Sequence, residues 1–243
     1  MSTQSRPAEA PIPAPRDHPV RAALQDTLGV GMGLFPLGIA FGVLLTQSGF
    51  AWWWTPLFSL LIYAGSLEFL AIGLFLALTP IASIALTTFL VNFRHVFYGL
   101  SFPLHRVHGP LRKAYSIYSL TDEAYAIVAT KPAEQLSGTR ILAIQALCQS
   151  YWVAGGLTGA LVGAALPAGL DGLDFALTAL FVVLAIDGYR AARDVPGPVL
   201  ALLCALTALL VAKDQLLVVA LGLYVATLAA RYLLRKGNSR HAR

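Results

Sequence analysis

WWWTPLFSLLIYAGSLEFLAIGLFLA, residues 52–77, decides how this chain is read. A bilayer's hydrocarbon core is roughly 30 Å thick and takes about 20 apolar residues per helix, so a run this long, with no Lys or Arg, suits lipid. Ala64, Gly65 and Ser66 interrupt it near its middle, and Glu68 follows. Such a break suits a broken span, or a segment that enters the membrane and returns to the side it came from. A carboxylate at mid-depth costs about 2.5–3.5 kcal/mol on insertion scales and normally faces a cavity or a partner. Glu68 is therefore a candidate proton carrier or contact for a ligand amine, the plain alternative being a structural, hydrogen-bonded acid.

The rest of the chain has the same character. Only 12% of its 243 residues are charged, 57% are hydrophobic and the mean hydropathy is +0.70, whereas soluble domains carry roughly a quarter charged residues. The expectation is all-α: a polytopic transmembrane helical bundle of about six to eight spans. Apolar segments run at 22–47, 52–78, 80–101, 114–130, 140–168, 173–187, 197–212 and 215–234. Of these, 52–78 and 114–130 carry mid-depth acids and read as interrupted or re-entrant. Residues 1–20, rich in Pro and Ala with both charge signs, read as a disordered cytoplasmic tail. Residues 21–235 read as one transmembrane domain and 236–243 as a basic cytoplasmic tail. No secretory signal is expected, because the first apolar run, from Ala22, is too long. Cys148 and Cys204 sit in separate apolar segments as small hydrophobes, and neither disulfide, metal nor cofactor is expected.

The net charge of +5 lacks a basic face interleaved with aromatics, so nucleic acid is not the expected partner. Lys and Arg lie almost entirely in loops and tails, where they orient a chain in the bilayer. With eight full spans and the N-terminus inside, Arg106, Arg112, Lys113 and Lys213 fall outside. If 52–78 and 114–130 re-enter, only Lys213 does. Both layouts put the termini in the cytoplasm, and Trp52, Trp53 and Trp54 suit the outer interface. LEFLAIGL at 67–74 resembles LDFALTAL at 173–180, each downstream of a Gly-rich segment, which hints at an inverted repeat.

Polar residues within the apolar segments carry the chemistry. The run 29–42, GVGMGLFPLGIAFG, places Gly38 and Gly42 around Pro36, suited either to unwinding that bares backbone groups or to close helix packing. LVNFRHVFYGLSFPLH, 90–105, brings Asn92, Arg94, His95 and Tyr98 within two turns, with Asn92, His95 and Tyr98 near one face. Arg94 could pair with Glu68 or Glu123, bind a substrate carboxylate, or snorkel to headgroups. In SLTDEAYAI, 119–127, Ser119 or Thr121 could cap a half-helix whose first turn holds Asp122 and Glu123. A ligand carrying both charge signs would need partners for both. Arg94 with Glu68 or Asp122 could supply them, and Phe41, Phe69 and Tyr98 could surround an apolar side chain.

Five of these stretches, FPLGIAFG at 35–42, AGSLEF at 64–69, NFRHVFYGLS at 92–101, LTDEAYA at 120–126 and LDFALTALF at 173–181, occur in an order that resembles the AzlC family. The family comprises large subunits of branched-chain amino acid exporters. The resemblance implies export of branched-chain or related small amino acids across a bacterial inner membrane, driven by the proton motive force, with a small AzlD-type membrane subunit as partner. Site candidates are the positions where these motifs meet costly intramembrane polar groups or helix breaks: Gly38, Gly42, Gly65, Ser66, Glu68, Phe69, Asn92, Arg94, His95, Tyr98, Asp122 and Glu123.

Two other functions fit the same residues. A passive channel or a non-transporting assembly subunit would use the polar cluster as a pore lining or an interface. A remote alternative is an intramembrane serine hydrolase with Ser66 as nucleophile and His95 as base, although an oxyanion hole is not evident in the sequence. The chain is not expected to be an enzyme.

Overall fold

The computed structural model describes residues 18–167 and 196–241, together with Thr178, Val182, Ala185, Ile186 and Tyr189. The first 17 residues of the expected tail, most of the 173–187 segment and the second copy of the suspected repeat lie outside the described residues. So do the side chains of the basic tail. Every regular element among the described residues is helical.

Two long helices, α1 (Pro19–Gln47) and α8 (Gly138–Ala165), form the spine. Asp26 meets Arg140, Gly38 meets Trp152, and Gln47 bonds the carbonyl of Gly163, so the two run in the same direction. Their glycines make this contact possible. A Cβ on Gly38 would lie 2.7 Å from the Trp152 carbonyl, and one on Gly42 would strike the Gly156 carbonyl. Small residues let backbones approach this closely without a driving force from water. Of the two uses open to Gly38 and Gly42, packing is the one seen: α1 continues through Pro36 without unwinding.

Short helices fill the space beside this spine. The first pair, α2 (Trp54–Leu61) and α3 (Gly65–Leu76), is a hairpin. Phe50, just past α1, packs on Trp54 at 6.1 Å and on Phe75 at 6.4 Å, so the hairpin begins and ends where α1 and α8 finish. Its tip is 62–64, where Tyr63 takes φ 43°, a left-handed conformation that bulky residues rarely adopt outside sharp turns.

A second hairpin, α6 (Pro110–Tyr118) and α7 (Asp122–Ala129), enters from the opposite end. The loop before it lies on the loop after it, with Arg106 donating to the carbonyls of Ala133 and Leu136. Lys131 and Arg140 both pair with Asp26 at 2.6 Å, fixing these loops where α1 and α8 begin. Tyr115 donates to Gln149, so α6 climbs to mid-height on α8 before the chain turns back. Eight full crossings would hold these two loops at opposite ends; here they touch.

Between the hairpins, α4 (Ile81–Asn92) and α5 (Arg94–Ser101) lead from one end of the molecule to the other. The sequence reads 80–101 as an ordinary span, but the helix bends by 43° at Phe93. Neither Gly nor Pro marks that bend. Two further helices, α9 (Pro196–Val211) and α10 (Leu216–His241), pack on each other, and α10 lies against α4.

By length and composition, α1 is the one unbroken helix among the described residues apolar enough to cross a membrane, and α4 with α5 qualifies as a bent pair. The helix α8 is as long, but its glutamines, glycines and Arg140 dilute its hydropathy. Residues 65–76, 196–211 and 218–233 form shorter apolar helices.

Candidate functional site

The three chain breaks, at 62–64, Phe93 and 119–121, converge at mid-height on the spine around a cavity of about 330 Å³. Its wall includes Gly65, Ser66 and Phe69 of α3, Arg94 and His95 of α5, and Thr121, Asp122 and Glu123 at the start of α7. The spine contributes Leu34, Leu37 and Trp152.

Each break positions its residues for a local reason. Thr121 has extended backbone and its hydroxyl accepts from the Ala124 N–H, so it is the N-cap foreseen for this half-helix, while Ser119 bonds back to Tyr115. Asp122 and Glu123 then occupy the first turn of α7, where negative charge is favoured. Ala64 is extended and α3 starts at Gly65, so Gly65 and Ser66, whose first-turn N–H groups have no helical acceptor, are part of the cavity lining. A Cβ at Gly65 would lie 3.1 Å from the Trp152 ring.

Arg94 links the two hairpins. Its Nη2 lies 2.7 Å from Asp122 Oδ2 and 3.3 Å from Ser66 Oγ. The His95 Nδ1 is 3.0 Å from the Asn92 carbonyl. Because a carbonyl only accepts, Nδ1 carries the hydrogen in the neutral ring and Nε2 is left as an acceptor. The Glu123 carboxylate forms no hydrogen bond or ion pair among the described residues. Positive charge thus comes from Arg94, already paired with Asp122, and from the α3 terminus, and the negative charge left without an ion pair among the described residues comes from Glu123. Leu34, Leu37, Phe69 and Trp152 make the remainder apolar.

Glu68 is elsewhere. It is fully buried and turned away from the cavity, its oxygens accepting from Trp152 Nε1 at 3.0 and 3.1 Å and from Ser59 Oγ at 2.9 Å. Its pairing with Arg94 does not form, and the hydrogen-bonded structural acid describes what is found. Trp152, which sequence reasoning missed, separates Glu68 from the cavity. The signal was there: an indole N–H in the middle of an apolar, Gly-rich helix needs an acceptor. Tyr63, at the hairpin tip, was also missed. Phe41 packs under Trp152 and Phe69 without reaching the cavity, and Tyr98 stacks on Tyr125 at 4.3 Å beside it. Asn92 lines a neighbouring cavity with His95. The Ser66 hydroxyl is held by Arg94, and no hydrogen bond joins it to His95 as a nucleophile and base would require. Among the described residues there is no group of His, Cys, Asp and Glu that could hold a metal ion.

Residues 29–166 match the family model described as AzlC protein. That range contains four of the five motifs and ends before LDFALTALF. The chain is 36% identical to the branched-chain amino acid transport protein AzlC of Bacillus subtilis, over 69% of this chain and 66% of that protein. It is 32% identical to an uncharacterized membrane protein of Helicobacter pylori, over 85% of this chain and 92% of the relative. It is 30% identical to the inner membrane protein YgaZ of Escherichia coli, over 74% and 77%. No solved structure matches.

Proposed function

This chain belongs to the AzlC family and is a membrane protein with a role in transport, and from that premise we propose that it exports branched-chain or related small amino acids. The cavity among the three helix breaks is the substrate site in this reading. The observation that carries it is the polarity of that cavity. A substrate carboxylate binds Arg94 and the α3 N–H groups, since a helix N-terminus is a ready anion site. The ammonium lies against Glu123 and His95 Nε2, and the aliphatic side chain against Leu34, Leu37, Phe69 and Trp152. A volume near 330 Å³ is at the small end of ligand pockets and suits a molecule of few atoms.

The membrane layout follows from the hairpins. The helices α1 and α8 cross from cytoplasm to exterior, 52–78 re-enters from outside and 114–130 from inside, and the bent α4 and α5 return. Arg106, Lys131 and Arg140 then share the cytoplasmic side with both termini, as the positive-inside rule requires. The chain is accordingly a multi-pass protein of the bacterial inner membrane, its 21–235 core one transporter domain and 236–243 a cytoplasmic tail. Discontinuous helices meeting at mid-depth are how many secondary transporters hold substrate. Energy comes from the proton motive force, and a small AzlD-type subunit completes the exporter.

The test is counterflow of labelled leucine in proteoliposomes, with and without the small subunit. A carrier concentrates tracer against a preloaded pool, and Arg94→Ala abolishes this. Simple equilibration of tracer would favour the passive channel, and no movement under either condition would favour the assembly subunit.

A further inference from the structure

A second cavity, of about 310 Å³, adjoins the first and shares Tyr63, Ala64 and His95 with it. Its other walls are Asn92, Gly99 and Phe102 of the α4 and α5 limb, Leu104, and 116–118 of α6 with Leu120. These residues lie between mid-height and the end where α1 and α8 begin, the end that gathers Arg106, Lys131 and Arg140.

Its chemistry indicates water. Asn92 Oδ1 and Ser116 Oγ, on two residues of this wall, are buried with no hydrogen-bond partner among the described residues. Buried polar atoms in native proteins are nearly always satisfied, by ordered water where protein partners are missing. A lipid tail in this space would leave both unpaired, which hydrocarbon penalises heavily. Ile62, Phe102, Ile117 and Leu120 add an apolar strip suited to an aliphatic side chain.

Resting on the central-site reading above, we infer that this second cavity is a hydrated vestibule through which an aliphatic zwitterion passes between the cytoplasm and the central cavity, with His95 and Tyr63 as the partition between the two chambers. Both residues are placed for that task. Tyr63 occupies the strained hairpin tip, and His95 follows the bend at Phe93, so a small change at either break moves a shared wall.

The test is cysteine accessibility in membrane vesicles. A Cβ at Gly99 meets nothing within 4 Å, so Gly99→Cys is sterically free, and Ile117→Cys on the facing wall repeats the measurement should the first variant fail to fold. The native Cys148 and Cys204 are buried, and the unmodified chain supplies their background. Either new thiol should react with a membrane-impermeant, charged thiol reagent at least 10-fold faster in inverted than in right-side-out vesicles, and the adduct should block leucine counterflow. Absence of labelling, faster labelling from outside, or labelling only by an apolar reagent would overturn the vestibule. Ser66→Cys in the central cavity separates the two proposals. If leucine protects that thiol while 99 and 117 stay unlabelled, the central site stands and the vestibule falls; if leucine gives no protection there, the central reading itself fails.

Discussion

Arg94 ties together residues that the sequence separates widely: Ser66 on one hairpin and Asp122 on the other. Its guanidinium is half-exposed, so its ion pair with Asp122 contributes little to stability. Arg94→Lys keeps the charge but loses the planar fork, and leucine transport should fall about tenfold or more while the protein still folds. Glu68 behaves differently. Trp152→Phe removes the indole donor from the buried acid, so detergent-solubilised protein should lose about 1–3 kcal/mol of stability. Glu68→Gln keeps an acceptor for that indole and should cost less, which thermal unfolding of the two variants compares. At this scale the sequence was informative about Arg94, His95, Asp122 and Glu123, which do meet. It left Glu68 open between a proton carrier, a ligand contact and a structural acid, because composition places a carboxylate at a depth but does not say which neighbour its side of the helix will face. That neighbour, Trp152, lies 84 residues away.

Among the elements, the spine depends on glycine. Gly42→Leu would drive a side chain into the backbone of α8 and should cost at least about 1–3 kcal/mol, seen as lowered thermal stability and yield, whereas Gly29→Leu, where a Cβ meets nothing, should be tolerated. The breaks at 62–64 and 119–121 were legible because Ala-Gly-Ser and a capping Thr before two acids are recognisable stop and start signals. The bend at Phe93 was not. Asn92 and Arg94 flank it without Gly or Pro, the residues by which a sequence announces a kink. At Pro36 the sequence left unwinding and close packing open, and α1 carries the proline without unwinding while Gly38 and Gly42 pack on α8.

For the molecule as a whole, the loop charges and the tertiary contacts agree. The re-entrant reading leaves Lys213 as the one outer cation, and the structure brings the loops around Arg106 and Lys131 to one end. A topology reporter fused after His108 should therefore report the cytoplasm, and one fused after Thr79 the exterior. An external signal at His108 would restore the eight-crossing layout. Periodicity alone was unable to choose between these layouts, because a hairpin and a span of equal length have the same composition.

The claim on which the account depends is that Arg94 and the α3 N-terminus hold a carboxylate. Its most direct test is competition against labelled leucine bound to the purified protein, using unlabelled leucine and leucinol, which lacks the carboxylate. Losing a charge-assisted hydrogen-bonding partner costs about 1.5–3 kcal/mol, so leucinol should compete roughly 10–100-fold less well. Equal competition by leucinol, or leucine affinity unchanged in Arg94→Ala, would contradict the account.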